Sequence, residues 1–125
     1  MSATTPNPQR GEIWQVNFDP QVGSEIKKKR PAIVLDHGHS SLQVRVVTPI
    51  TSWKAARDEQ NPFKVYIQPT SGNGLSKECA ADAYQIKTVS IERFEIKLGT
   101  TSESKADEVA EAVALVIDVP SLGPE

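Results

Sequence analysis

The stretch Phe63-Lys64-Val65-Tyr66-Ile67-Gln68-Pro69-Thr70-Ser71-Gly72-Asn73-Gly74 decides the fold class. Phe63, Val65 and Ile67 alternate with Lys64, Tyr66 and Gln68, the period of two imposed by a strand with one wet face. Ser71-Gly72-Asn73-Gly74 then supplies residues that tolerate positive φ, so the strand is expected to run into a hairpin. Upstream, Trp14, Val16 and Phe18 fall on one side of a strand and Gln15 and Asn17 on the other, with Asp19-Pro20 as its end. Ala32 to Leu35 reads as a short, fully apolar strand closed by Asp36-His37-Gly38, and Leu42, Val44 and Val46 carry the alternation on to Ile50. Downstream lie a weaker strand candidate from Cys79 to Val89 and a short one over Phe94, Ile96 and Leu98. Short strands separated by turn signals predict a small antiparallel β-barrel or sandwich rather than a parallel α/β sheet.

The texture changes once. Ala106, Val109, Ala110, Val113, Val116 and Ile117 follow helical spacing, with Ser104 as the expected cap, acidic residues in the first turns and Pro120 as the stop. The fold class is thus mainly β with a C-terminal α-helix. Residues 1–9, polar and carrying Pro6 and Pro8, read as a flexible leader, residues 10–119 as one domain, and residues 120–125 as a loose tail.

With 125 residues there is room for one compact domain, and 38% hydrophobic with 24% charged residues is the balance of an ordinary globular protein. The formal charge of -2 is an average that hides a division. Residues 1–99 carry a balance of +3, whereas residues 100–125 carry -5, so the acidity belongs to the helix and tail. The single Cys79 excludes an intrachain disulfide and fits a reducing cytosol, and no apolar run approaches the ~18 residues of a membrane span. The expectation is a soluble cytoplasmic protein that does not engage membranes.

The densest cationic run, Lys27-Lys28-Lys29-Arg30, enters a strand through Pro31. Proline biases Arg30 toward extended geometry, which sends Lys29 and Arg30 to opposite sides and lets one of them face a site. Arg30 is the better phosphate ligand, because its planar fork donates two parallel hydrogen bonds. Thr51 and Ser52 leave a strand end, where hydroxyls either satisfy turn amides or donate to a phosphate, and the adjacent Trp53 is an aromatic in a polar loop able to stack on an unpaired base. Arg45, Lys54 and Arg57 add charge, so residues 10–57 hold eight cations against four anions. His37 and His39 have no third ligand in register, so no metal site is expected. Cys79 reads as a small buried side chain. Asp82 is either a general base or a surface carboxylate, and Gln85 either reads a base edge or caps a neighbour.

In this order, Arg10-Gly11-Glu12-Ile13-Trp14, Asp19-Pro20, Gly23-Ser24-Glu25, Lys29-Arg30-Pro31, Pro49-Ile50-Thr51-Ser52, Gly74-Leu75-Ser76-Lys77, Gln85-Ile86-Lys87-Thr88-Val89 and Leu98-Gly99 resemble the MazF/PemK family of toxin endoribonucleases, from Arg10 to about Val119. The resemblance implies an SH3-like β-barrel with a C-terminal helix, a homodimer, cofactor-free and metal-independent cleavage of single-stranded RNA, and neutralisation by a cognate MazE-like antitoxin. Promoter DNA would be met only indirectly, through that antitoxin. By position, Arg30 and Thr51 match the family's catalytic arginine and threonine, and Ser24, Glu25, Ser52 and Gln85 match positions near the RNA groove; Lys28, Lys29 and Trp53 complete the expected RNA-binding set. Ile26 stands where many members have Gln, and Tyr84 where many have Asp directly before the Gln. The barrel also resembles gyrase poisons of the CcdB type, and a non-catalytic SH3-like binding module is a third reading.

Overall fold

The computed structural model describes residues 6–18, 23–25, 28–38 and 42–120. The expected strand end at Asp19-Pro20, the run member Lys27, the family departure Ile26, His39 and the tail beyond Pro120 lie outside the described residues. The described residues form seven strands: β1 (Glu12–Asn17), β2 (Lys29–Val34), β3 (Val44–Ser52), β4 (Lys64–Ile67), β5 (Cys79–Asp82), β6 (Lys87–Ser90) and β7 (Phe94–Thr100). A four-residue helix α1 (Ala55–Asp58) follows β3, and the helix α2 (Glu103–Val116) follows β7. All ladders are antiparallel, in the order β4-β5-β3-β2-β1-β7, with β6 also on β3.

Strand β3 organises the sheet because it is long enough to change partners. Its first half, Val44 to Val47, pairs with β6; its last three residues, Ile50 to Ser52, pair with β5. Its other edge meets β2 only over Ala32↔Pro49, Ile33↔Thr48 and Val34↔Val47. The β2–β3 ladder stops at Pro31. Phe18 N–H donates to Lys28 O at 2.9 Å, which makes Val16↔Arg30 a hydrogen-bonded pair and Gln15↔Pro31 a non-bonded one. The N–H that proline lacks would therefore have pointed toward β3, and without it the two strands part beyond Ala32.

Two apolar clusters fill the interior. One joins Ile13, Ile33, Ile50 and Ile67 to Ala106, Val109 and Ala112 of α2; the other gathers Val16, Phe18, Ala32, Val34, Val47 and Phe94, with Trp14 packed edge-on to Phe94 at 5.8 Å. Of the apolar stripe predicted for α2, Ala106 and Val109 are buried and Val113 and Val116 pack against the core, whereas Ile117, past the helix end, is 64% exposed and Ala112 is buried instead.

The mainly β class with a C-terminal helix is as expected, but the sheet does not close into a barrel. Between the two ends of the strand order lies the tip of the β4–β5 hairpin, where Thr100 N–H donates to Gly72 O at 2.9 Å. Lys105 Nζ of α2 donates to Tyr66 O of β4, also at 2.9 Å. A loop and a helix thus occupy the place of the closing ladder. The approach is close enough to require glycine on both sides. A Cβ on Gly74, which has φ +75°, would lie 2.2 Å from Leu98 O, and one on Gly99 would lie 2.3 Å from Gly72 O.

Other boundaries shift for local reasons. The helix cap is Ser102, whose Oγ accepts from Lys105 N, so Ser104 lies within the first turn. The long strand expected from Cys79 to Val89 breaks because Asp82 Oδ1 accepts from Tyr84 N at 3.2 Å and caps a 3-10 turn over Ala83–Gln85. The loose leader expected through residue 9 is held from Asn7 onward: Pro8 is buried, Arg45 Nε donates to Pro8 O and Nη2 to Asn7 Oδ1, both at 2.8 Å. No helix of the described residues is long and apolar enough to cross a membrane.

Candidate active site

Where β2 and β3 part, a cleft of about 400 Å³ opens, lined by Ser24, Arg30, Thr51, Ser52, Lys54, Arg57, Lys64, Asp82 and Gln85. Arg30 comes from β2, immediately before the proline that ends the ladder; Thr51 and Ser52 come from the end of β3. Lys29 points away and pairs with Glu95 at 3.1 Å, so adjacent cations do diverge as extended geometry requires. Thr51 sits opposite Ala80 of β5, and its Oγ1 is screened from solvent without a hydrogen-bond partner among the described residues. An unsatisfied hydroxyl of this kind costs about 1–3 kcal/mol, which an acceptor would recover once the atoms covering it shift.

An alternating chain of charge links Arg57, Lys64 and Asp82 of the lining through the buried Asp58. Asp58, at the end of α1, is 1% exposed. Its Oδ1 accepts from Arg57 Nε at 2.7 Å, and its Oδ2 from Arg57 Nη2 and from Lys54 N, each at 2.9 Å. Lys64 of β4 lies 4.0 Å from Asp58 Oδ1 and 3.7 Å from Asp82 Oδ2. The Arg57 hydrogen bonds hold the Asp58 carboxyl down to about 2, with the Lys54 amide and the Lys64 charge assisting against the cost of burial. The same pair raises the Arg57 guanidinium above its ordinary value.

Of the residues expected from sequence, Ser24, Arg30, Thr51, Ser52 and Gln85 meet in this cleft. Four others do not line it. Glu25 pairs with Lys87 at 3.2 Å, Lys29 with Glu95, and Lys28 is exposed at φ +68° outside the lining. Trp53, expected as a stacking platform, is half-buried with its ring edge-on to Tyr66 at 5.1 Å, because Tyr66 is the outward residue of the neighbouring strand row. Gln85 Nε2 reaches Ser24 O at 3.5 Å and so ties the 23–25 segment to the cleft wall. Tyr84 is 64% exposed and packs on Phe63. Arg45, counted with the cations of this region, is buried at the opposite end of β3. Sequence reasoning passed over Lys64 and Asp58. Lys64 had a signal, its place on the wet face of an alternating strand, whereas nothing in the run Arg57-Asp58-Glu59 marks the middle residue for burial.

Cys79 is buried as expected, and burial raises its thiol pKa. Among the described residues no group of three His, Cys, Asp or Glu side chains is placed to hold a metal ion.

Residues 9–117 match the family of PemK-like, MazF-like toxins of type II toxin–antitoxin systems. The chain is 35% identical over 118 residues to Endoribonuclease MazF9 of Mycobacterium tuberculosis, an alignment that covers 89% of this chain and 97% of that relative. In fold it is similar to MazF from Deinococcus radiodurans, with a TM-score of 0.76, 23% identity, and 91% of this chain and 99% of that one covered. It is also similar to a mycobacterial endoribonuclease solved with its cognate antitoxin, with a TM-score of 0.69 at 16% identity, over 91% and 98% of the two chains.

Proposed function

The chain belongs to the PemK-like, MazF-like toxins of type II toxin–antitoxin systems and is an endoribonuclease of that kind, and on this premise we propose that the cleft cuts single-stranded RNA by transphosphorylation without a metal. The observation that supports this most is the meeting of Arg30 with the unsatisfied hydroxyl of Thr51 in one cation-lined cleft.

In this reaction the substrate's 2′-oxygen forms a bond to phosphorus and the bond to the 5′-oxygen breaks, leaving a 2′,3′-cyclic phosphate and a 5′-hydroxyl. Arg30 stabilises the charge gathering on the phosphoryl oxygens and passes the departing 5′-oxygen a proton that solvent returns to the guanidinium, while the 2′-proton leaves to solvent. Thr51 Oγ1 donates to a phosphoryl oxygen. Asp82, the one carboxylate in the described lining, is engaged by Lys64 and by Tyr84 N–H, so it is not assigned as the base that takes the 2′-proton. Sequence-specific cutting of messenger RNA would halt translation and growth, and a cognate antitoxin and a homodimeric toxin are the expected partners.

Incubating the purified protein with a mixed-sequence RNA in EDTA and mapping both new ends tests the reading. Cyclic phosphates and 5′-hydroxyls are expected; intact RNA beside trapped gyrase–DNA complexes would instead make the chain a poison, and intact RNA alone a binding module.

A further inference from the structure

We propose that Arg57, clamped by the buried Asp58, is a second RNA-backbone site in the cleft, holding the phosphate next to the one engaged by Arg30 and Thr51. The inference rests on the nuclease reading above and concerns how that site grips its strand. Charge is the first reason. Arg30, Lys54, Arg57 and Lys64 line the cleft against Asp82, with Asp58 beneath. A phosphodiester carries a single negative charge, and Lys54, Arg57 and Lys64 outnumber Asp58 and Asp82 by one, which leaves this wall of the cleft positive for a phosphate beside the one at Arg30. An RNA strand brings its next phosphate only one nucleotide away.

Geometry is the second reason. Arg57 spends Nε and Nη2 on Asp58, and Nη2 also reaches Ser52 O at 3.1 Å. Its Nη1 has no hydrogen-bond partner among the described residues, and the side chain is 57% exposed. One edge of the guanidinium is therefore fixed and the other faces outward. A surface arginine ordinarily loses its rotamer freedom when it captures a phosphate, whereas this one has lost it on folding. Asp58 in turn cannot drift, because it is enclosed, accepts the Lys54 amide and is flanked by Lys64. Fastening α1 would need only the carboxylate and that amide. Asp58 is accordingly a positioning residue, and Arg57 the group that touches the strand.

The test is the salt dependence of affinity, measured by anisotropy of a labelled single-stranded RNA made uncleavable by 2′-O-methylation. Arg57→Ala, checked for folding by its melting curve, is expected to weaken binding about tenfold and to reduce the slope of log K against log salt by about 0.7, the share of one phosphate contact. With cleavable RNA the loss should fall on KM rather than kcat. Arg57→Lys should restore the slope but only part of the affinity, since an ammonium cannot be held by the two-point clamp. Lys97→Ala, which removes a cation paired with Glu12 outside the cleft, should leave the slope as it is. A folded Arg57→Ala that binds within about twofold of wild type with an unchanged slope overturns the inference and leaves the nuclease reading standing. So does an Arg57→Lys protein with full affinity, a comparison available even if the alanine variant does not fold. Wild-type protein that neither binds nor cuts RNA would overturn the nuclease reading, and this inference with it.

Discussion

The two ends of β3 each carry an arginine system, and they use it in opposite ways. At the start of the strand, Arg45 is 6% exposed and gives its guanidinium to acceptors of its own chain: Pro8 O, Leu42 O, Val44 O and Asn7 Oδ1. At the far end, Arg57 gives one edge to a buried carboxylate and keeps the other facing out, beside a threonine hydroxyl with no partner. One end is internally satisfied and the other is left incomplete. A satisfied cation holds a fold together, whereas an incomplete one is a place for something else to bind; counting charges along the chain cannot tell them apart.

The contrast predicts that losing the unsatisfied groups of the cleft costs activity, whereas losing the satisfied ones, Arg45 at one end and the enclosed Asp58 at the other, costs stability. The largest effect belongs to Arg30→Ala and Thr51→Val, which should each lower the cleavage rate by about 10²–10³ in a gel assay with a defined RNA. Thr51→Val should keep or raise the melting temperature, since it removes a buried unsatisfied hydroxyl at nearly constant volume; a Thr51→Val protein with full activity would break the contrast. Asp58→Ala should cost about 3 kcal/mol in urea unfolding, the low end for a broken buried pair because Arg57 itself is exposed. Arg45→Met should cost about 2 kcal/mol by leaving backbone carbonyls unpaired, with the folded protein cutting RNA at the wild-type rate. The smallest effect is in acid. The Asp58 carboxyl is lowered on folding from 3.8 to about 2, so its contribution is present in full above the upper value and is lost as pH falls through the lower one. Melting temperatures should decline less steeply for Asp58→Asn than for wild type over that window.

The strands were legible because alternation is local: Trp14, Val16 and Phe18 face one cluster, and Val65 and Ile67 another, as their spacing requires. Arg30 was legible through Pro31, which acts on its immediate neighbour. The break in the Cys79 to Val89 stretch was hidden because it depends on a single side chain, Asp82, competing for a backbone N–H. The short helix α1 spans too few residues to show a period. Lys64 and Asp58 come together only through the β3–β5–β4 register, a pairing between distant segments, and Trp53 leaves the cleft for the same reason, drawn onto Tyr66. The open sheet was hidden as well, because what prevents closure is where the hairpin tip lands.

That landing has a consequence for how the gene can vary. Gly74 and Gly99 each face backbone of the other's segment at distances that no side chain fits. Most crowded pairs can be rescued, since a larger residue on one side is answered by a smaller one on the other. Here the nearest obstructing atoms, Leu98 O and C and Gly72 O and Asn73 C, belong to the backbone, and glycine is already the smallest residue. Random mutagenesis selected for a working toxin should therefore leave both positions unchanged, and no suppressor screen should recover a compensating substitution for either.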